Sequence, residues 1–148
     1  MSGERWDVLA VIGAGGALGT ALRHGLSLWV PHSSGGFPLS TLLVNVIGCA
    51  AIGGFMVVIT ETTLTHRLLR PFLGVGVLGG FTTFSTYVVD VAQLVVEGQP
   101  WLALAYLVGT VLAALAAVAV GVLGMRGVLR WTARRKIVTE HHKAGDQR

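Results

Sequence analysis

The chain is poor in charge. Only 12% of its 148 residues are Asp, Glu, Lys or Arg, against about 25% in an ordinary soluble domain. With 53% hydrophobic residues, too little polar surface remains to hold it in water, and the composition is that of an integral membrane protein. Cysteine is nearly absent. Cys49 stands alone, which excludes an internal disulfide and a cysteine metal site, and in its apolar run it reads as a small packing residue. The five His show no metal spacing: His24, His32 and His66 are isolated, and the adjacent His141 and His142 would face different ways on a helix. No nucleophile–base pair and no phosphate loop appears, so the chain is not read as an enzyme. The first apolar run is too long for a cleavable leader.

Acidic groups are also missing from the middle of the apolar runs. Glu61 and Glu97 fall in loops, and Asp90 lies late in its run, nearer one end. A proton-coupled exporter needs a buried carboxylate relay. A four-span multidrug exporter needs an acid within its first span, whereas Glu4 and Asp7 stand only at its start. The pattern favours a channel.

What is present is four apolar stretches, each long enough for the ~20 residues that cross a bilayer. They are read as spans at about 6–30, 39–60, 68–96 and 101–122, giving an all-α membrane domain over 1–125 and a basic tail over 126–148. The intervening segments 31–38 and 61–67 are polar or rich in Pro, Ser and Gly, and 97–100 forms a tight turn ending in Pro100. Trp6, Trp29, Trp101 and Trp131 fall near span ends, where indoles favour the headgroup layer.

The basic residues are lopsided. With four spans, one side holds Arg5, Arg67, Arg70, Arg126, Arg130, Arg134, Arg135, Lys136, Lys143 and Arg148, and the other can claim only Arg23. Charges flanking apolar runs speak for membrane orientation and against nucleic acid, despite a pI near 10. They place both termini in the cytoplasm.

Four places depart from plain lipid-facing helix. The first span carries Gly15, Gly16 and Gly19, a spacing suited to close helix packing, followed by Arg23. That charge either serves function or an interface, or snorkels to the span end. The second span sets Thr41, Asn45 and Gly48 on one face; a buried amide needs partners, and an interhelical hydrogen bond is one ready answer. The third reads GVGVLGGFTTFSTY over 74–87, and five of the six residues after Phe81 carry a hydroxyl. Poor helix formers in mid-span predict a break lining a wet or protein-buried cavity, with a Gly/Thr packing face as the alternative. The fourth carries Tyr106 and Thr110 one turn apart.

Three of these motifs, GALGTALRH (16–24), TLLVNVIG (41–48) and GGFTTFSTY (79–87), occur in this order on successive spans. Over about residues 13–120 the chain resembles the Fluc/CrcB fluoride channels. The resemblance implies antiparallel, dual-topology dimers of four-span subunits with two pores, which let fluoride leave a bacterial cell passively across its plasma membrane. It implies that Asn45, Phe84 and Tyr87 line the fluoride path with Ser85 and Thr86 on the same segment. Tyr106 and Thr110 would begin a polar track on the fourth span, and Arg23 matches the family's first-span Arg. It also implies that backbone carbonyls of Gly79 and Thr82 hold a structural sodium ion (Na+) at the dimer interface. Two features differ from the family pattern. Tyr87 stands where Phe is usual, adding a phenol that either binds fluoride or narrows the path. The charge bias predicts insertion mainly one way, so the partner is expected to be a related subunit of opposite orientation, with a homodimer as the alternative.

Overall fold

The computed structural model describes residues 3–30, 36–62 and 67–145; most of the two loops expected at 31–38 and 61–67 lies outside these. Every regular element among the described residues is helical. Helix α1 (Gly3–Trp29) and α2 (Leu39–Glu61) come first. Helix α3 (Pro71–Leu78) is wound as a π-helix and runs into one α-helical turn, Gly79–Phe81. Helix α4 (Ser85–Val96) follows an interruption at residues 82–84. Helix α5 (Pro100–Gly145) is the longest, at 46 residues. It continues through Arg126 without a break, so the change from apolar to basic composition there is not a change of secondary structure.

Three helical stretches are long and apolar enough to cross a membrane: Leu39–Glu61, Pro71–Val96 and Pro100–Ala133. The first helix is equally long, but its glycines, Arg23 and His24 dilute its apolar character. Local chemistry sets several ends. Pro38 precedes α2, where its carbonyl accepts from Leu42 N at 3.2 Å. The α4–α5 turn closes with Gly98 N donating to Val95 O at 3.0 Å and Gln99 N to Leu94 O at 2.9 Å. Gly98 sits at φ +77°, a left-handed conformation that disfavours a side chain. Pro100 then opens α5 at a position that needs no N–H.

The burial pattern is inverted relative to a soluble protein. Trp29, Val96, Leu112, Leu115, Val120 and Leu123 face outward, while Ser40, Thr41, Thr83, Asp90 and Thr110 are buried. Lipid is as apolar as Leu, so helices gain little by hiding Leu from it and associate through close fit and polar contacts.

Close fit is supplied by glycine. A Cβ added at Gly15 would sit 2.5 Å from Phe72 O, and one at Gly80 2.5 Å from Gly16 O. At Gly19 it would strike Val77 O outright. Thus Gly15 meets Gly76, Gly16 meets Gly80 and Gly19 meets Val77, α1 and the third segment touching backbone to backbone. A second seam joins α2 to α5, where Gly53 faces Val118 O and Gly121 faces Ala50 O. These two pairings are also the most extensive in the molecule.

Ion pairs fix which ends lie together. Arg67 approaches Asp7 at 3.8 Å, and Arg126 Nε reaches Glu61 Oε1 at 2.8 Å. The start of α1, the end of α2, the approach to α3 and the Arg126 turn of α5 therefore share one end of the bundle.

Gly19→Leu and Gly121→Leu are expected to destabilise the fold by at least the ~1–3 kcal/mol usual for overpacking, because the obstructing atoms are backbone. Gly25→Ala, with open space around it, should be silent. Thermal unfolding of the detergent-solubilised protein, followed by size-exclusion recovery, measures the difference.

Candidate functional site

The site grows from the interruption at residues 82–84. Thr82 is extended, at φ −73° and ψ 155°, so the helix ends there and its neighbours lose their regular partners. In a continuous helix Thr83 N would donate to Gly79 O. Here it donates to Asn45 Oδ1 at 2.9 Å, and Asn45 Nδ2 donates back to Thr83 O at 2.9 Å. One side-chain amide thus satisfies both polar groups of one peptide residue. The exchange leaves Gly79 O without its helical donor. Gly80 O is approached only by the Thr20 hydroxyl, at 3.4 Å.

The hydroxyl run restarts the helix. Thr83 Oγ1 accepts from Thr86 N at 3.2 Å and donates to Thr86 Oγ1 at 3.0 Å. This is the service an N-cap hydroxyl gives to the orphan amides of a first turn. Thr82 closes the preceding turn, its backbone N and its Oγ1 both donating to Leu78 O, at 3.1 and 3.0 Å.

Two cavities flank the interruption. One, of about 230 Å³, is lined by Asn45, Cys49, Thr82, Thr83, Phe84, Tyr87, Thr110, Val111 and Ala114. The other, of about 290 Å³, is lined by Thr20, Arg23, His24, Ser27, Thr41, Val44, Thr83 and Thr86. Thr83 borders both. Of the residues singled out in the sequence, Asn45, Phe84, Tyr87 and Thr110 converge on the first cavity, with Thr82. Arg23 and Thr86 belong to the second. Ser85 is exposed and lies 3.4 Å from Thr83 Oγ1. Gly79 is exposed beside the break.

Tyr106 borders neither cavity. It is fully buried, with Phe37 edge-on at 5.3 Å and Tyr87 at 5.5 Å between ring centroids. Its hydroxyl donates to Asp90 Oδ2 at 3.2 Å. Asp90, in the later part of its span as the sequence has it, is buried against Tyr106 within the Tyr87–Tyr106 cluster. Spacing carried a signal of this, since Tyr87, Asp90 and Leu94 fall on one helical face. Thr83 was likewise undistinguished among five hydroxyls, because sequence does not say which one meets Asn45.

The Tyr87 hydroxyl donates to Leu107 O on α5 at 2.6 Å, so the phenol is engaged by protein while Tyr87 lines the first cavity. The Thr110 hydroxyl is buried and meets no partner at full hydrogen-bond geometry among the described residues, although it lies close enough to the Tyr106 hydroxyl for a weak contact. An unpaired buried donor is costly unless something else takes its hydrogen bond. Phe84 lies 5.8 Å from Tyr87 and is 77% exposed.

The family described as CrcB-like protein, Camphor Resistance (CrcB), matches residues 10–122. "Fluoride-specific ion channel FluC 1" of Streptomyces coelicolor is 56% identical over 124 residues, covering 84% of this chain and 80% of its own. "Fluoride-specific ion channel FluC 2" of Nocardia farcinica is 53% identical over 124 residues, covering 84% and 86%.

Asn45→Ala should destabilise the fold by about 1–3 kcal/mol by orphaning two backbone groups. Asn45→Asp should recover only part of this, since it cannot donate to Thr83 O. Denaturant titration in detergent micelles reads both.

Proposed function

The chain belongs to the CrcB family, and from that premise we propose that it is a fluoride-specific ion channel, not an enzyme, that lets fluoride leave the cell passively. The observation that carries the reading is the convergence of Asn45, Phe84, Tyr87 and Thr110 on one cavity beside the helix break.

Fluoride is small and strongly hydrated, so a path must replace its water with donors. The second N–H of the Asn45 amide is not used on Thr83, and the Thr110 hydroxyl has at most a weak contact with Tyr106 to give up. Ring edges are electropositive, which suits Phe84 and Tyr87 to an anion; Ser85 and Thr86 add hydroxyls on the same segment. Tyr106 is buried behind Tyr87, so it serves the path by holding that ring. Arg23 and His24 border the neighbouring cavity, where a cationic side chain raises local anion concentration.

The wider arrangement is part of the same proposal. Four spans, including α1, cross a bacterial plasma membrane, with the interruption at mid-depth and both termini cytoplasmic. Residues 1–125 form the membrane domain and 126–148 the basic tail. Two subunits pair antiparallel. The exposure of Phe84 supports this, since a ring meant for a pore is left uncovered by one chain alone. Gly79 and Thr82 suit a sodium ion at that interface: Gly79 O has lost its helical donor, and carbonyl oxygens are the hard ligands such a cation takes. A cation bound there would offset repulsion between two anion paths.

Thr110→Val is expected to leave stability unchanged while lowering fluoride efflux from liposomes by about tenfold, the worth of one hydrogen bond to an ion. A fluoride electrode reads it, with chloride as control; unchanged flux removes Thr110 from the path. The charge bias predicts that the chain inserts one way and needs a related partner of opposite orientation. Topology reporters at the C-terminus appearing on both sides in similar amounts would favour a homodimer instead.

A further inference from the structure

Helix α5 outruns the rest of the bundle. The Arg126–Glu61 ion pair marks the level at which α2 ends, yet α5 continues to Gly145. The turns just past that level are basic and carry no acid: residues 127–139 contain Arg130, Arg134, Arg135 and Lys136 but neither Asp nor Glu. Arg126 is committed to Glu61. Arg130, Trp131 and Arg135 are exposed, and Trp131 sits among the charges with 55% of its surface free.

The heights fit a lipid surface. Taking the hydrocarbon edge near Val122, at about 1.5 Å per residue, Arg130 begins about 12 Å beyond it and Arg135 about 20 Å. Headgroups occupy about 5–8 Å outside the hydrocarbon, and the screening length adds about 8 Å. Helical side chains lean toward the N-terminus of their helix, which here means back toward the bilayer. Arg135 does so: its guanidinium carbon lies 3.9 Å from the centroid of the Trp131 ring. That stacking brings the charge down by about one turn, to the level of the indole, and within the layer where an anionic surface is felt.

We propose that the Arg130–Arg135 turns of α5 form a docking surface for the headgroups of anionic phospholipids. Arg130 and Arg135 supply the charge, and Trp131 supplies an amphipathic face at the headgroup border. The partner is lipid because the basic turns emerge directly from a span, just outside the sheet of phosphates and within about a screening length of it. The proposal rests on α5 crossing the bilayer, and it holds whichever side the tail occupies.

The test uses the full chain reconstituted in phosphatidylcholine containing a small fraction of spin-labelled phosphatidylglycerol or spin-labelled phosphatidylcholine. Electron paramagnetic resonance then gives the relative association of each with the protein. The wild-type chain is expected to favour phosphatidylglycerol by about threefold or more at 0.1 M salt. That preference should fall toward one in Arg130→Gln/Arg135→Gln, and in the wild type at 1 M salt. Equal association of both lipids with the wild-type chain overturns the proposal, and so does a preference that survives the double substitution, which would assign it to the other basic residues at that end. Fluoride efflux of the double variant is measured alongside. Retained efflux shows that its fold is intact; efflux absent from both chains while the lipid preference stands leaves the lipid proposal in place and sends the channel reading to the same assay with an opposite-orientation partner.

Discussion

A helix cannot stop inside a membrane without stranding its own backbone, and this constraint organises the whole bundle. Each unpaired N–H or C=O in hydrocarbon costs several kcal/mol. The third segment nevertheless stops, at Thr82. Asn45 makes this tolerable by returning both hydrogen bonds of Thr83 from a neighbouring helix. An amide is the side chain for the task, because it alone offers a donor and an acceptor in the spacing of a peptide. Ser or Thr supplies both on one atom, and a carboxylate supplies acceptors only. The hydroxyls of Thr82, Thr83 and Thr86 complete the repair on either side.

That clasp works only if α2 and the third segment are held at fixed distance, and here the glycines matter. Gly48 lies against Thr82 Cγ2 and the Phe81 ring, one turn from Asn45. On the far side, Gly15 and Gly19 let α1 rest its backbone on the π-helical turns before the break. The π-helix itself widens the coil over Pro71–Leu78, where Gly74 and Gly76 leave room for neighbours. The interruption is thus buttressed by seams too close for any side chain, with Thr83 bordering a cavity on either side. The same repair frees Gly79 O, because the amide that would have bonded it is the one Asn45 has taken.

Much of this was written in the sequence, and the boundary of what was legible is physical. Apolar run length located the helix starts, and the ends of the first three spans, to within a few residues, but α5 runs on well past residue 122 to Gly145. The third segment was marked by local chemistry: glycines and hydroxyls disfavour helix wherever they stand, and they disfavour it here. Asn45 was marked as a buried amide in need of partners. What the sequence left open was pairing. Nothing local says that Asn45 meets Thr83 and not Thr82 or Ser85, since that depends on the register between two helices. Nor does anything local say that the Tyr87 phenol reaches Leu107 O, a bond made to a backbone that any residue would provide. Nor does position along the span say that Asp90 is buried, which is set by the face it occupies, next to Tyr106.

The ends of the bundle carry a second constraint, on assembly. Asp7 and Glu61 are drawn to Arg67 and Arg126, so the acids at the basic end are spent on local pairs. Such pairs reduce net charge without weakening the orientation signal, because insertion responds to Lys and Arg and little to Asp and Glu. Ten basic residues at one end against Arg23 at the other therefore still favour a single orientation. Phe84, meanwhile, stands 77% exposed beside the break, next to the exposed Ser85 and Thr86. On the antiparallel pairing proposed above, a second subunit would cover this ring, and a one-way chain would not supply that cover from an inverted copy of itself. On that proposal the distribution of charge along the sequence and the coverage of Phe84 bear on the same subunit, an opposite-facing relative.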